Sequence, residues 1–190
     1  MTALQPALDE LAAGRLVVIP TDTVYGLAAA CGAAPVLFEL KGRPQFKPLP
    51  VLASSVADLQ QVAIFSAAAL RITERMWPGP LTLVLEREPS FGADLGGDGA
   101  TVAVRVPAHG KALELLARSG PVAVTSANRT GEPPATTLAE ARAEFGDEVR
   151  AYVEGGRCDG APSSVVSLID ELRLLREGSV SLAEVRQALG

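Results

Sequence analysis

Three short runs in which every side chain is apolar or nearly so, residues 16–19 (LVVI), 51–53 (VLA) and 121–124 (PVAV), constrain this chain more than any other feature. A strand without a polar side must be covered on both faces, so strands of this kind interleaved with helical patterns imply a sheet held between helices. Helical spacing runs over residues 4–13, closed by Gly14, and over 35–40, 66–77, 111–118 and 138–145. The helix over 66–77 is stopped by Pro78-Gly-Pro80, and Thr136 or Thr137 caps the one at 138. Ser181-x-x-Glu184 is a capping box for a last helix that ends at Gly190. Further strands are expected at 81–85, 101–107, 151–153, 164–169 and 172–176, whereas the Ala-rich stretch after Gly26 reads as a connection. The sum is an α/β fold with a twisted, open mixed sheet flanked by helices.

Composition narrows the class. With 190 residues and 48% hydrophobic side chains, a single domain over 1–190 buries roughly 70% of its unfolded surface without metal or disulfide staples. Two cysteines far apart and one histidine are too few for a zinc site. No apolar run near the N-terminus suggests a leader or a span, which points to the cytoplasm. A formal charge of −5 and 4% aromatics speak against a broad nucleic-acid face. Any basic site must be local.

Only three of the 17 basic residues are lysines, and two of them fall with an arginine in KGRPQFK, where Lys41, Arg43 and Lys47 have no acid between them. That pattern reads as an anion site ahead of a solvated cationic turn, which would usually be interleaved with acids, and its exposed side chains could be lost without cost to stability. Standard phosphate loops and nucleophile elbows are absent. Ser126, Asn128 and Thr136 follow a strand end, where open α/β sheets place ligands, although a capped strand-to-helix connection uses the same residue types. In TVAVRVP the valines share one face and Thr101, Ala103 and Arg105 the other. Arg105 must therefore meet either a substrate carboxylate or an internal acid. Tyr25 closes a polar turn, TDTVYG, and the lone His109 reads as a loop residue. Residues 86–99 form a polar loop free to move.

These residues stand in blocks, PTDTVYGL, LKGRPQFKPL, WPGPLTLVL, VAVRVP, VAVTSANRTGEPPATT, PSSVVSL and LLREG, whose order resembles the YrdC/TsaC family of threonylcarbamoyl-AMP synthases across nearly the whole chain. The family's K-x-R and S-x-N pairs are Lys41-Gly-Arg43 and Ser126-Ala-Asn128 here. The resemblance implies a YrdC-like sheet with a concave basic cavity and a nucleotidyltransferase that joins L-threonine, bicarbonate and ATP into L-threonylcarbamoyladenylate, releasing pyrophosphate, for tRNA modification. It implies Arg43, Lys47, Asn128, Thr136 and Arg176 around ATP, and Thr23, Tyr25, Thr101, Arg105, Ser126 and Ser163 around threonine. Lys41 and Arg43 would carry catalysis. Mg²⁺ would arrive on the ATP phosphates without a protein cage, and the product would pass to a threonylcarbamoyl transferase complex. Leu52, Gly110 and Ser167 stand where members of the family often carry histidine, proline and aspartate, and the second domain of longer members is missing. An RNA- or tRNA-binding module without catalysis and a carbamoyl-transfer module are the competing readings, the latter embedded elsewhere in longer, cysteine-rich chains.

Overall fold

The computed structural model describes residues 4–158 and 160–190. In chain order the elements are α1 (Gln5–Ala12), β1 (Val17–Ile19), β2 (Gly26–Ala30), α2 (Pro35–Lys41), β3 (Val51–Leu52), α3 (Val56–Leu59), α4 (Ala67–Met76), β4 (Leu81–Glu86) and β5 (Thr101–Arg105). Then follow α5 (Gly110–Ser119), β6 (Val122–Ser126), α6 (Leu138–Phe145), β7 (Ala151–Tyr152), β8 (Ser164–Ser167), β9 (Arg173–Arg176) and α7 (Leu182–Leu189). The strands form one mixed sheet in the order β7-β1-β2-β6-β3-β5-β4-β8-β9. Parallel pairs are β1/β7, β3/β5 and β4/β8.

The Ala-rich stretch is a strand and not a connection. All five residues of β2 pair with β6, from Gly26 opposite Ser126 to Ala30 opposite Val122, and β2 also pairs with β1. Alanine has little strand preference of its own; here the two neighbouring ladders decide the conformation and small side chains let helices approach. At the start of α6 Thr137 is the cap, completing a capping box with Glu140, and the Ser181–Glu184 box opens α7 as expected. The 86–99 loop is tied to residues 45–49 by Leu49 N–H to Leu95 O at 2.9 Å and Gly97 N–H to Gln45 O at 2.9 Å. Leu95 is buried.

The two sheet faces are covered unequally. One packs Val18, Leu27, Val51, Leu83, Val104 and Val166 against residues of α2, α3, α4, α6 and α7, such as Leu37, Leu59, Ile72, Phe145 and Val185. On the other face α1 and α5 cover Val17, Ile19, Ala28, Leu52, Val122 and Val124 with Leu4, Leu11, Leu115 and Leu116. Register places Arg105 beside Leu52, then Ala103 opposite Val84, and Val165 opposite both Thr82 and Arg176. These continue the second face beyond the reach of α1 and α5, and there Thr101, Ala103, Val84 and Val165 are only half-buried. Among the described residues no helix is long and apolar enough to cross a membrane.

Candidate active site

A cavity of about 220 Å³ lies where the covered half of that face gives way to the open half. Leu52 and Val124 come to its wall from the covered side, Thr82, Arg105 and Arg176 from the open side. The turn between β1 and β2 adds Thr21 and Thr23, the end of β6 adds Ser126, and Arg43 and Ser163 complete the polar wall.

Local hydrogen bonds fix the turn. Thr21 Oγ1 donates to the Val24 carbonyl at 2.6 Å and accepts the amides of Thr23 and Val24, each at 3.2 Å. Its only hydrogen is therefore spent, and the Thr23 hydroxyl lies 3.0 Å away. Arg105 reaches this turn from the end of β5: Nε donates to Gly79 O at 2.9 Å, one terminal nitrogen to Thr23 Oγ1 at 3.3 Å, the other to Asp22 Oδ1 at 2.5 Å. Of the two alternatives raised for Arg105, the internal acid is the one seen: the residue is buried and ion-paired, and it also forms part of the cavity wall. Burial lowers its pKa while Asp22 opposes the shift. Of five guanidinium N–H groups three are engaged, so two remain for a ligand carboxylate. Asp22 was not anticipated; the sole acid of TDTVYG could have signalled it. Tyr25 lies behind the wall, fully buried, its hydroxyl donating to Gly156 O at 2.7 Å and accepting from Gly155 N at 3.2 Å.

The KGRPQFK residues diverge. Gly42 closes α2 with φ +62°, which lets Arg43 N–H return to Phe38 O at 3.0 Å and Gly42 N–H to Glu39 O at 3.2 Å. Arg43 then swings out to the cavity, steadied by Lys47 O at 2.8 Å and Pro48 O at 3.1 Å. Lys47 is exposed, its ammonium 6.0 Å from the Phe46 ring centroid. Lys41 departs from the expectation of an exposed side chain: it is 5% exposed and turns inward to Ser126 and Asn128. Asn128 is buried too, with its amide nitrogen held by Arg129 O and Glu132 O.

Ser163 and Arg176 are bonded to each other. Arg176 donates to Ser163 O from Nε at 3.1 Å and from a terminal nitrogen at 2.8 Å, and the same nitrogen meets Ser163 Oγ at 3.0 Å. Thr82 Oγ1, another unanticipated member, is 2.9 Å from Ser163 Oγ. Gly178 permits the fit, since a Cβ there would lie 2.1 Å from Pro162 O. Thr101 stands four residues along β5 from Arg105 and borders a separate hollow with Ser167 and Arg173. Thr136 borders another, its hydroxyl 3.0 Å from Glu140 Oε2. His109 precedes α5, its Nε2 3.2 Å from Gly155 O.

Arg43, Arg105 and Arg176 all have pKa values lowered chiefly by desolvation, and Arg176 further depresses the other two by repulsion. Three guanidiniums facing one small cavity favour an anion that relieves this repulsion. Among the described residues no cluster of histidine, cysteine and carboxylate side chains could cage a metal ion.

Fold and cavity together define an α/β protein with three guanidiniums and several hydroxyls lining one hollow of its sheet. The profile of the Sua5/YciO/YrdC family, described as telomere recombination, matches residues 9–178, and the chain belongs to that family. A Mycobacterium leprae relative is 40% identical over 190 residues, covering 97% of this chain and 86% of its own. The threonylcarbamoyl-AMP synthase of Pyrococcus abyssi is 38% identical over 93% of this chain and 54% of its own. The crystal structure of P. abyssi Sua5 complexed with L-threonine superposes with a TM-score of 0.93 at 36% identity, over 98% of this chain and 57% of that one. The chain thus spans about half the length of the archaeal relatives and most of the mycobacterial one.

Proposed function

We propose that this protein is a threonylcarbamoyl-AMP synthase, a nucleotidyltransferase that makes L-threonylcarbamoyladenylate and pyrophosphate from L-threonine, bicarbonate and ATP. The observation that carries the reading is Arg105, a buried guanidinium with two unengaged N–H groups in a cavity whose fold matches a threonine complex at TM-score 0.93. In this reading Arg105 takes the threonine carboxylate. Thr23 offers a lone pair to the amino acid, Ser126 and Ser163 border it, and Arg43 and Arg176 meet the ATP phosphates with Lys47 at the rim.

The threonine amine adds to bicarbonate and water leaves, giving a carbamate. A carbamate oxygen then attacks the α-phosphorus in line, the bond to the β-phosphate oxygen breaks, and pyrophosphate departs. No protein nucleophile takes part. The chain contributes by holding the reactants together, worth about 7–11 kcal/mol where alignment is good, and by placing fixed positive charge where phosphate charge shifts. Because the walls present guanidiniums and hydroxyls, magnesium belongs with the ATP phosphates, and no residue of this chain is assigned to it. The adenylate would pass to a threonylcarbamoyl transferase acting on tRNA in the cytoplasm.

Pyrophosphate release from ATP, measured with threonine and bicarbonate each present or omitted and with serine in place of threonine, tests the proposal. Release that needs both and prefers threonine supports it; a flat response in every combination ends it.

A further inference from the structure

Lys41 is a neighbour of Arg43 in sequence, yet the two do different things. Its ammonium is not on the cavity wall, and each of its three hydrogens has a protein acceptor: Ser126 O at 2.5 Å, Asn128 Oδ1 at 2.8 Å and Ser126 Oγ at 3.0 Å. An ammonium has three donors and no acceptor, so a substrate oxygen could be met only by giving up one of these bonds. The backbone repeats the grip. Lys41 O accepts from Thr130 N at 3.2 Å and Thr130 Oγ1 at 3.0 Å, and Leu40 O accepts from Arg129 at 2.8 Å. The end of α2 and the loop after β6 are thereby one rigid unit.

The consequence falls on Ser126, which does line the cavity. Its hydroxyl oxygen accepts from an ion that cannot accept in return, so the hydroxyl hydrogen has to go elsewhere. Among the described residues no acceptor for it is found, and the open direction is the cavity.

We propose that Lys41 is a positioning residue that touches no substrate and acts by fixing the Ser126 hydroxyl as a hydrogen-bond donor aimed into the cavity. This deepens the synthase reading and rests on it. The S-x-N half of the pair serves the same end, because Asn128 is spent on Lys41 and on two carbonyls of its own loop. The groups that bear electrostatically on Lys41 are Arg43, which opposes its charge, and Glu144 of α6, which favours it. Burial outweighs both and brings the pKa from 10.5 down to about 8.

A double-mutant cycle with Lys41→Met and Ser126→Ala tests this. Each single variant should lose on the order of a hundredfold in kcat/KM for pyrophosphate release, as for one fixed donor. The double variant should be no worse than about threefold below the poorer single, since both changes remove the same donor. Losses that multiply to roughly ten-thousandfold would overturn the proposal and make Lys41 a ligand in its own right. The pH profile adds a readout that a scaffold role would not move. Wild-type kcat/KM should fall above about pH 8, and Ser126→Ala should lack that decline; a decline that persists in Ser126→Ala refutes action through Ser126. Should Lys41→Met fail to fold, this second variant still decides. Calorimetric binding of ATP and of L-threonine reads the cycle without turnover, so an inactive wild type would sink the synthase reading alone. In that assay Lys41→Met must weaken the same ligand as Ser126→Ala by the same factor, and weakening of a different ligand defeats the proposal.

Discussion

One face of the sheet has two halves with opposite chemistry. Under α1 and α5 the strands present Val17, Ile19, Ala28, Val122 and Val124 to leucines, an apolar cluster. A few strands away the same face carries Arg105, Thr82, Arg173 and Arg176, and Thr101, Ala103, Val84 and Val165 there are only half-buried. The first half stabilises by removing apolar surface from water; the second keeps polar groups dry only where other protein atoms satisfy them. The cavity lies on the border, where the Thr21–Thr23 turn meets Arg105. A change in one half should therefore register as lost stability, and a change in the other as lost turnover.

The severest test of that division is Arg105→Met, because this residue belongs to both accounts. Pyrophosphate release should drop by about a thousandfold or more for want of the carboxylate ligand. Unfolding in urea should also show a loss of about 3 kcal/mol, since the half-buried Asp22 is left unpaired. Activity loss with unchanged stability would mean that the Asp22 pair contributes nothing to the fold. Leu116→Ala, in the covered half, should cost about 2–5 kcal/mol by cavity formation with kcat/KM of the folded protein within about twofold of wild type. A marked drop in kcat/KM would show that the halves are coupled through β6. Ala103→Leu, on the open half, is the complement: stability within about 0.5 kcal/mol, but a KM for ATP raised roughly tenfold if nucleotide lies over this surface, an estimate from about 1.4 kcal/mol of lost contact. An unchanged KM would put the nucleotide elsewhere.

Much of this was legible in residue order. Apolar runs marked β1, β3 and β6, and strict alternation in β5 put Arg105 and Thr101 on one face. Alternation fixes the face and not the distance, however. At about 3.3 Å per residue, four steps carry Thr101 some 13 Å from Arg105, into another hollow. β2 was hidden because its glycine and alanines have no strand signature and acquire their conformation from β1 and β6. Charge clustering found the right segment in KGRPQFK, but it could not tell which cations face a ligand. That depends on the left-handed Gly42 and on acceptors more than eighty residues away, at Ser126 and Asn128. Ser163 and Arg176 were carried by resemblance alone, and their mutual bonds arise from the pairing of β8 with β9, which no local pattern reports.

The gentlest effect expected depends on a buried charge, in contrast to the apolar cluster of the covered half. Lys41 titrates near 8 when folded and near 10.5 when unfolded. Between those values the unfolded chain holds a proton that the folded chain has released, so stability attributable to Lys41 rises with pH. From pH 8 to 9 the gain is about 1 kcal/mol at most, reduced by solvent screening, or roughly 2–4 °C in Tm for a chain of this size. The Tm difference between wild type and Lys41→Met should therefore move in favour of wild type over the interval in which wild-type turnover declines. Stability and activity would run in opposite directions through one residue. A scaffold lysine would give the rise in stability without the decline in turnover, and a Tm difference independent of pH would mean that Lys41 keeps its proton and that the turnover decline has another source. Leu116→Ala, measured alongside, should show a Tm deficit that stays constant across the same range.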